Sequence, residues 1–286
     1  MDGIDELAAL VAAMRVEPLD ERRFRGPTLA RRLPRLFGGH VLAQAVMAAG
    51  ATVPPGRNPH SLHALFLRGG DPDLPVDYVV EVLRDGRSLN ARRVTAVQGE
   101  AMLASVAVSC AVADSGPEHD RADCMPAPGP EDLPTLADRL GPEAHLLPSW
   151  WSDPHPFDLR FVEHPDALAA GRVRDPQQSY WVRAAGPLPE EPLLHAALLA
   201  YVCDLGLLDP AVLPHGRSWY GNDIIAGASI DHAMWFHRPV SLNEWLRCDQ
   251  SSPIAHAGRA LCTCSYTDTA ARRLATATQE GVLREP

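Results

Sequence analysis

The sequence contains no lysine, so all 26 of its basic residues are arginines, against 36 acidic residues and a net charge of −10. Proteins that coat nucleic acid need a net basic face for the phosphates, and this balance argues against that class. Aromatic residues make up only 6% of the chain, but 46% of it is hydrophobic. A chain of 286 residues therefore has enough apolar material for one large domain or two of about 140 residues.

Cysteine pairs of the C-x-x-C type are also missing. The six cysteines are Cys110, Cys124, Cys203, Cys248, Cys262 and Cys264. The last two are one residue apart and would point to the same face of a strand. This spacing supports neither a disulfide framework nor a metal site. We expect reduced, mostly buried thiols and no metal or other cofactor.

No apolar run is long enough to cross a membrane. The longest, 193–203, is interrupted by His195 and falls short of the roughly 20 residues that a span requires. The N-terminus is acidic and lacks the apolar core of a signal peptide. We therefore expect a cytoplasmic protein without a membrane span.

The first half of the chain is predicted to form two helices followed by strands. Apolar residues at helical spacing predict a first helix over 4–14, and an Ala-rich run over 37–52 predicts a helix narrow enough to be wrapped by a sheet. Strand-like runs follow at 62–68, 76–84, 88–98 and 101–112. Turn residues between the last three runs indicate an antiparallel meander.

The second half repeats this order after a proline-rich segment. Fourteen of the 27 prolines lie between positions 117 and 192, which predicts a linker over 113–156. Beyond it, an apolar helix at 193–207 and a strand at 229–237 match the helix and first strand of the first half. We predict an α+β double hotdog: two tandem units, 1–112 and 157–286, each an antiparallel sheet wrapped around a central helix.

Several multi-residue blocks carry a resemblance to a known family. They are 37–40 (FGGH), 60–71 (HSLHALFLRGGD), 84–88 (RDGRS) with 92–94 (RRV), and 231–239 (DHAMWFHRP). Together they resemble the type II, TesB-like acyl-CoA thioesterases. The resemblance implies a double hotdog, hydrolysis of acyl-CoA without a metal, and an Asp/Thr/Gln set that orients water. Those positions correspond to Asp204, Ser229 and Gln279, with serine standing in place of threonine.

The residue types fit water-mediated hydrolysis, and each also has a plainer explanation. Asp204 ends an apolar helix, where burial and the helix dipole should raise its pKa toward that of a general base; alternatively, it caps a local turn. Ser229 lacks the G-x-S-x-G turn of a nucleophile, so it would orient the water, or simply bond a neighbouring strand. Gln279 alternates inward on its strand and could both donate and accept hydrogen bonds; otherwise it faces solvent.

Four further residues are candidate substrate contacts. Gly38 and Gly39 open a helix, where free N–H groups could bind an oxyanion or phosphate, or where glycine allows close contact between the helix and the sheet. His60 lies in a strand block typical of hydrogen-bonded core histidines. Arg87 belongs to a hairpin rich in arginine that could contact the CoA phosphates, the alternative being a solvated turn.

Two other functions stay open at this point. A hotdog hydratase or dehydratase would need an Asp/His pair that reaches the substrate, and the chain has many histidines. An acyl-CoA binding module without catalysis is the third alternative. In each case we expect acyl-CoA as the partner, with assembly into a homodimer or homotetramer as a further expectation from the family.

Overall fold

The structure, a computed structural model, describes residues 3–29, 35–121, 126–148, 151, 155–221 and 225–285. Its α-helices are α1 (Gly3–Met14), α2 (Gly38–Gly50), α3 (Leu136–Leu140), α4 (Pro192–Asp204) and α5 (Asp209–Val212). Its strands are β1 (Glu17–Pro18), β2 (Arg23–Gly26), β3 (Asn58–Phe66), β4 (Val76–Asp85), β5 (Leu89–Gln98), β6 (Ala101–Ala111), β7 (Phe157–Phe161), β8 (Gln177–Ala184), β9 (Ala226–Ser229), β10 (Asp231–Phe236), β11 (Leu246–His256), β12 (Arg259–Thr267) and β13 (Arg273–Arg284).

All of these strands join one antiparallel sheet. The order is β1-β2-β4-β5-β6-β3-β10-β13-β12-β11-β8-β7, with β9 paired to β13. Reading outward from the β3–β10 seam, β6, β5 and β4 on one side correspond to β13, β12 and β11 on the other. The predicted double hotdog is therefore confirmed, with the two units joined edge to edge through the central strands.

The two central helices fill the interior of the sheet. Every residue of α2 from Gly39 to Ala49 is buried, and so is every residue of α4 from Leu194 to Cys203. Alanine and glycine make this possible, because small side chains let the helices pack on each other and on the strands. The helices run antiparallel, so the start of α2 lies beside the end of α4.

The proline-rich segment carries more structure than its sequence predicts. It contains α3 and two 3-10 turns, Pro130–Asp132 and Gly141–Leu146. Leu140 and Trp151 from this segment are buried in the main core. The prolines start or flank these short turns, and the buried side chains of Leu140 and Trp151 hold the turns against the second unit. The unit boundaries at 112 and 157 stay a prediction.

The predicted strand over 229–237 is interrupted at Ile230. The backbone N–H of Ile230 donates to Glu280 on β13, and its carbonyl accepts from Phe66 on β3. Ile230 thus joins strands from both units, whereas β9 pairs only with the end of β13. The interruption places Ser229 and Asp231 on separate strands.

One helical run is longer than the sequence indicates. From Pro192 to His215 it is long and apolar enough to cross a membrane, but 83% of its most apolar window is buried inside the protein, as in a core helix.

The five cysteines among the described residues are free and buried, while Cys124 lies outside the described residues. The cytoplasmic location stays a prediction.

Candidate active site

The three predicted catalytic residues converge at the end of α4. Gln279 donates from Nε2 to Oδ1 of Asp204 at 2.9 Å, and also to Oγ of Ser229. Asp204 is the last residue of α4, Ser229 ends β9, and Gln279 lies on β13. The side chains come together because β9 and β13 pair directly over the end of the helix, with Ser229 opposite Gly281.

The environment of Asp204 favours a proton acceptor. Its side chain is only 4% exposed, and burial raises its pKa from 3.8 to about 6. The neighbouring His232 ring, the Gln279 amide and the backbone N–H of Gly39 act in the opposite direction, because each stabilises the carboxylate. The carboxylate is therefore ionised at neutral pH but holds a proton more readily than an exposed aspartate does.

Gln279 is more fully engaged than expected. It is almost completely buried, and both hydrogens of its amide nitrogen point to protein acceptors, Asp204 and Ser229. Its Oε1 accepts from Nδ1 of His232 at 3.1 Å. An amide nitrogen has only two hydrogens, so the structure leaves none for a substrate carbonyl. Gln279 instead links the carboxylate of Asp204 to the hydroxyl of Ser229.

Ser229 is half-buried. Because its Oγ accepts from Gln279, its own proton is directed elsewhere. A hydroxyl in that state can donate to a water or to a carbonyl oxygen. Ser229 can therefore supply the donor that Gln279 does not.

The two helix-opening glycines lie at the site, and their predicted role in binding an oxyanion or phosphate stays a prediction. The N–H of Gly39 bonds the Asp204 carboxylate. A Cβ on Gly38 would lie 2.8 Å from Oδ2 of Asp204. A Cβ on Gly39 would lie 2.6 Å from the carbonyl oxygen of Tyr201. Glycine is needed at both positions for close approach of the two helices.

His60 and Arg87 are not brought to this site. Leu65 on β3 pairs with Asp231, close to the triad of Asp204, Ser229 and Gln279. His60 lies five residues before Leu65 on the same strand, about 16 Å from it. There it bonds Oγ of Ser109 at 2.8 Å, and burial lowers its pKa. Arg87 is exposed on the turn between β4 and β5, where its carbonyl accepts from Arg57. Their substrate roles stay predictions.

The site includes one residue whose role sequence reasoning missed. His232 is fully buried, and its Nδ1 bonds Gln279 and lies 3.9 Å from Oδ1 of Asp204. The antiparallel register pairs Ala233 with Thr278. The residue before Ala233, His232, therefore lies opposite the residue after Thr278, Gln279. Alternation within each strand was visible in the sequence, but the pairing of β10 with β13 was not.

A cavity in the described part of the chain lies beside the site rather than in it. Its volume is about 690 Å³, within the range of small-molecule pockets. Trp151, Phe157 and Arg160 help to line it, but the triad does not. Phe157 packs against the ring of Tyr201, one turn before Asp204, with the ring centres 6.1 Å apart. In the same described ranges, no cluster of His, Cys, Asp or Glu could hold a metal ion.

A double hotdog with a buried carboxylate, an amide and a hydroxyl at the meeting point of its two helices defines a class, the hotdog thioester hydrolases. Comparison with known proteins places the chain within that class. The family model described as acyl-CoA thioesterase matches residues 155–282, and the model of the acyl-CoA thioesterase N-terminal domain matches residues 30–113.

Relatives of the chain share this family along nearly its whole length. It is 34% identical to acyl-coenzyme A thioesterase 8 of Mus musculus, covering 96% of this chain and 88% of the relative. Acyl-CoA thioesterase 2 of Haemophilus influenzae is 33% identical, with 98% of each chain covered. The crystal structure of acyl-CoA thioesterase II TesB2 from Mycobacterium marinum superposes with a TM-score of 0.78 at 36% identity, covering 97% of this chain and 98% of that one. The chain belongs to the type II acyl-CoA thioesterase family.

Proposed function

We propose that this protein hydrolyses acyl-CoA to a free carboxylic acid and CoA, with Asp204 activating a water molecule. The observation that carries the proposal is the bonding of one buried amide, Gln279, to both Asp204 and Ser229. A carboxylate and a hydroxyl fixed in this way can hold one water between them and direct it at a thioester carbonyl.

The reaction needs one proton to move twice. Asp204 accepts a proton from water as the water oxygen bonds the carbonyl carbon and the carbonyl oxygen becomes negative. Ser229 donates a hydrogen bond to the water or to that oxygen. The carbon–sulfur bond then breaks, the electron pair leaves on sulfur, and the proton held by Asp204 passes to the CoA thiolate.

The pKa of Asp204, about 6, suits both transfers. At neutral pH most of the carboxylate is ionised and can accept a proton. A base whose pKa lies near the working pH is also a better acceptor than an exposed aspartate with a pKa near 4.

The alternative reaction, hydration of an enoyl-CoA, is less well supported. It requires an Asp/His pair that reaches the substrate. Asp204 and His232 are 3.9 Å apart, but the side chain of His232 exposes no surface and its Nδ1 is engaged by Gln279. Only the carboxylate of this pair is placed to meet a substrate.

Release of free thiol from a series of acyl-CoAs tests the proposal. We expect turnover by the wild type and a kcat about 10²- to 10⁴-fold lower for Asp204→Asn, because the general base is lost. Asp73→Asn, the same chemical change at an exposed position, serves as the matched control and should leave the rate unchanged. Equal rates for the wild type and Asp204→Asn would eliminate the proposed base.

Two other outcomes would select the alternatives. Addition of water to an enoyl-CoA without release of CoA would identify a hydratase. Tight binding of acyl-CoA with no turnover would identify a binding module. Light scattering of the same preparations would test the expected homo-oligomer.

A further inference from the structure

His232 is a buried polar side chain next to the triad, and the mechanism above gives it no role. Its ring is completely buried, on a strand whose other inward residues are apolar, such as Met234 and Phe236. Of its two ring nitrogens, Nδ1 lies 3.1 Å from Oε1 of Gln279, whereas Nε2 has no hydrogen-bond partner among the described residues. Since packing alone would be served by an apolar side chain, the Nδ1 contact needs an explanation.

That contact determines which way the Gln279 amide faces. The amide oxygen can only accept, so Nδ1 of His232 carries the hydrogen. With Oε1 held on that side, Nε2 faces Asp204 and Ser229 and donates to both. Rotation of the amide by 180° would place an oxygen 2.9 Å from a carboxylate oxygen and would leave two acceptors facing each other.

We propose that His232 is a positioning residue, which fixes the orientation of the Gln279 amide so that Asp204 and Ser229 stay aligned for water activation. This inference rests on the proposed function. The resemblance to the family implies that Asp204, Ser229 and Gln279 orient the water by themselves. The inference adds His232 as a fourth residue, which aligns these three side chains.

The ring also acts on the base electrostatically. The titratable groups that face His232 are Cys203 and Asp204, both on α4, while Gln279 faces it from β13. Its partner on β3 is Ala64, which carries no charge. The protonated ring lowers the pKa of Asp204, so its removal should move the acid limb of the pH–rate profile to higher pH. A purely structural role would leave that limb in place.

Two substitutions separate the hydrogen bond from the ring. Asparagine places its amide nitrogen near the position of Nδ1, so His232→Asn keeps a donor for Gln279. Glutamine places its nitrogen near the position of Nε2, so His232→Gln keeps a polar, buried side chain but loses the donor. His237→Asn is the matched control, because His237 on the same stretch of chain bonds Thr276 at 2.9 Å, outside the site.

We expect kcat to fall about 10²-fold in His232→Gln, with KM within about threefold because the ring does not contact substrate. His232→Asn should recover most of the lost kcat. Both variants should shift the acid limb upward, and His237→Asn should do neither. As a readout independent of activity, the side-chain NH₂ protons of Gln279 should exchange slowly with solvent in the wild type and His232→Asn, and rapidly in His232→Gln.

The inference is overturned if the two His232 variants lose activity equally with an unmoved acid limb, or if both match the His237→Asn control. Equal exchange of the Gln279 amide in all variants would overturn it as well. A wild type that releases no thiol would refute the proposed function, and amide exchange would then still decide whether His232 orients Gln279.

Discussion

Replacing Asp204 by asparagine should stabilise the protein above pH 6 while it removes activity. The pKa of this carboxyl is about 6 in the folded protein against 3.8 for an ordinary aspartate, a difference that corresponds to about 3 kcal/mol. Because the folded-state pKa is raised, ionisation opposes folding: the penalty is absent below pH 4, grows between pH 4 and 6, and is complete above pH 6.

The asparagine variant avoids this penalty, at the cost of one hydrogen bond. An amide nitrogen replaces one carboxylate oxygen, so one of the two donors, Gln279 Nε2 or the Gly39 N–H, loses its acceptor. Such a loss costs about 1 to 2 kcal/mol. We therefore expect a net gain of about 1 to 2 kcal/mol in the free energy of unfolding at pH 8.

Urea unfolding of both proteins at pH 8 and pH 5 measures this difference. The advantage of Asp204→Asn should shrink at pH 5, because much of the wild-type carboxyl is then protonated in the folded state. A variant that is less stable than the wild type at pH 8, or an advantage that grows as the pH falls, would refute the argument that burial of this carboxylate is costly.

Three further predictions concern the same site. The value of kcat/KM should rise tenfold per pH unit below about pH 6 and level off above it, because the proposed base, Asp204, must be ionised to accept a proton; a profile that is flat between pH 5 and 7 would contradict this. Ser229→Thr should keep kcat within about threefold, whereas Ser229→Ala should lower it about 10²-fold; thiol-release assays that find the two variants equal would remove the hydroxyl from the mechanism. Gly38→Ala should lower kcat at least about tenfold, because its Cβ would lie 2.8 Å from the carboxylate. Gly116→Ala, whose Cβ would meet nothing within 4 Å, is its control, and equal kcat values for these two variants would show that the close approach is unimportant.

The central helices and the strands of the meander could be predicted because their signals are local. The run over 37–52 is rich in alanine and is observed as α2, and the run over 76–84 is observed as β4. The interruption at Ile230 could not be predicted in the same way. It depends on hydrogen bonds to Glu280 and Phe66, which lie far away in the chain.

The residues of the candidate site also fall into those with a local sequence signal and those without one. Asp204 at a helix end and Gln279 on an alternating strand could be selected from the sequence with the help of the family resemblance. The contact of His232 with Gln279 depends on strand order, and the bond from the Gly39 N–H to Asp204 depends on the antiparallel packing of α2 and α4. Neither arrangement has a signature within one segment.

The two central helices have the same length, 13 residues each, so Asp204 and Gly50 occupy equivalent final positions. At one junction the carboxylate sits above Gly38, whereas at the other a Cβ on Gly50 would lie 2.5 Å from the side chain of Leu193. The two junctions therefore differ at the position of the proposed chemistry: the second junction is filled by the apolar side chain of Leu193. With Asp204 as the proposed base, the described residues would form one reaction centre per chain, to which the second unit contributes the carboxylate and the first unit contributes the helix start that holds it.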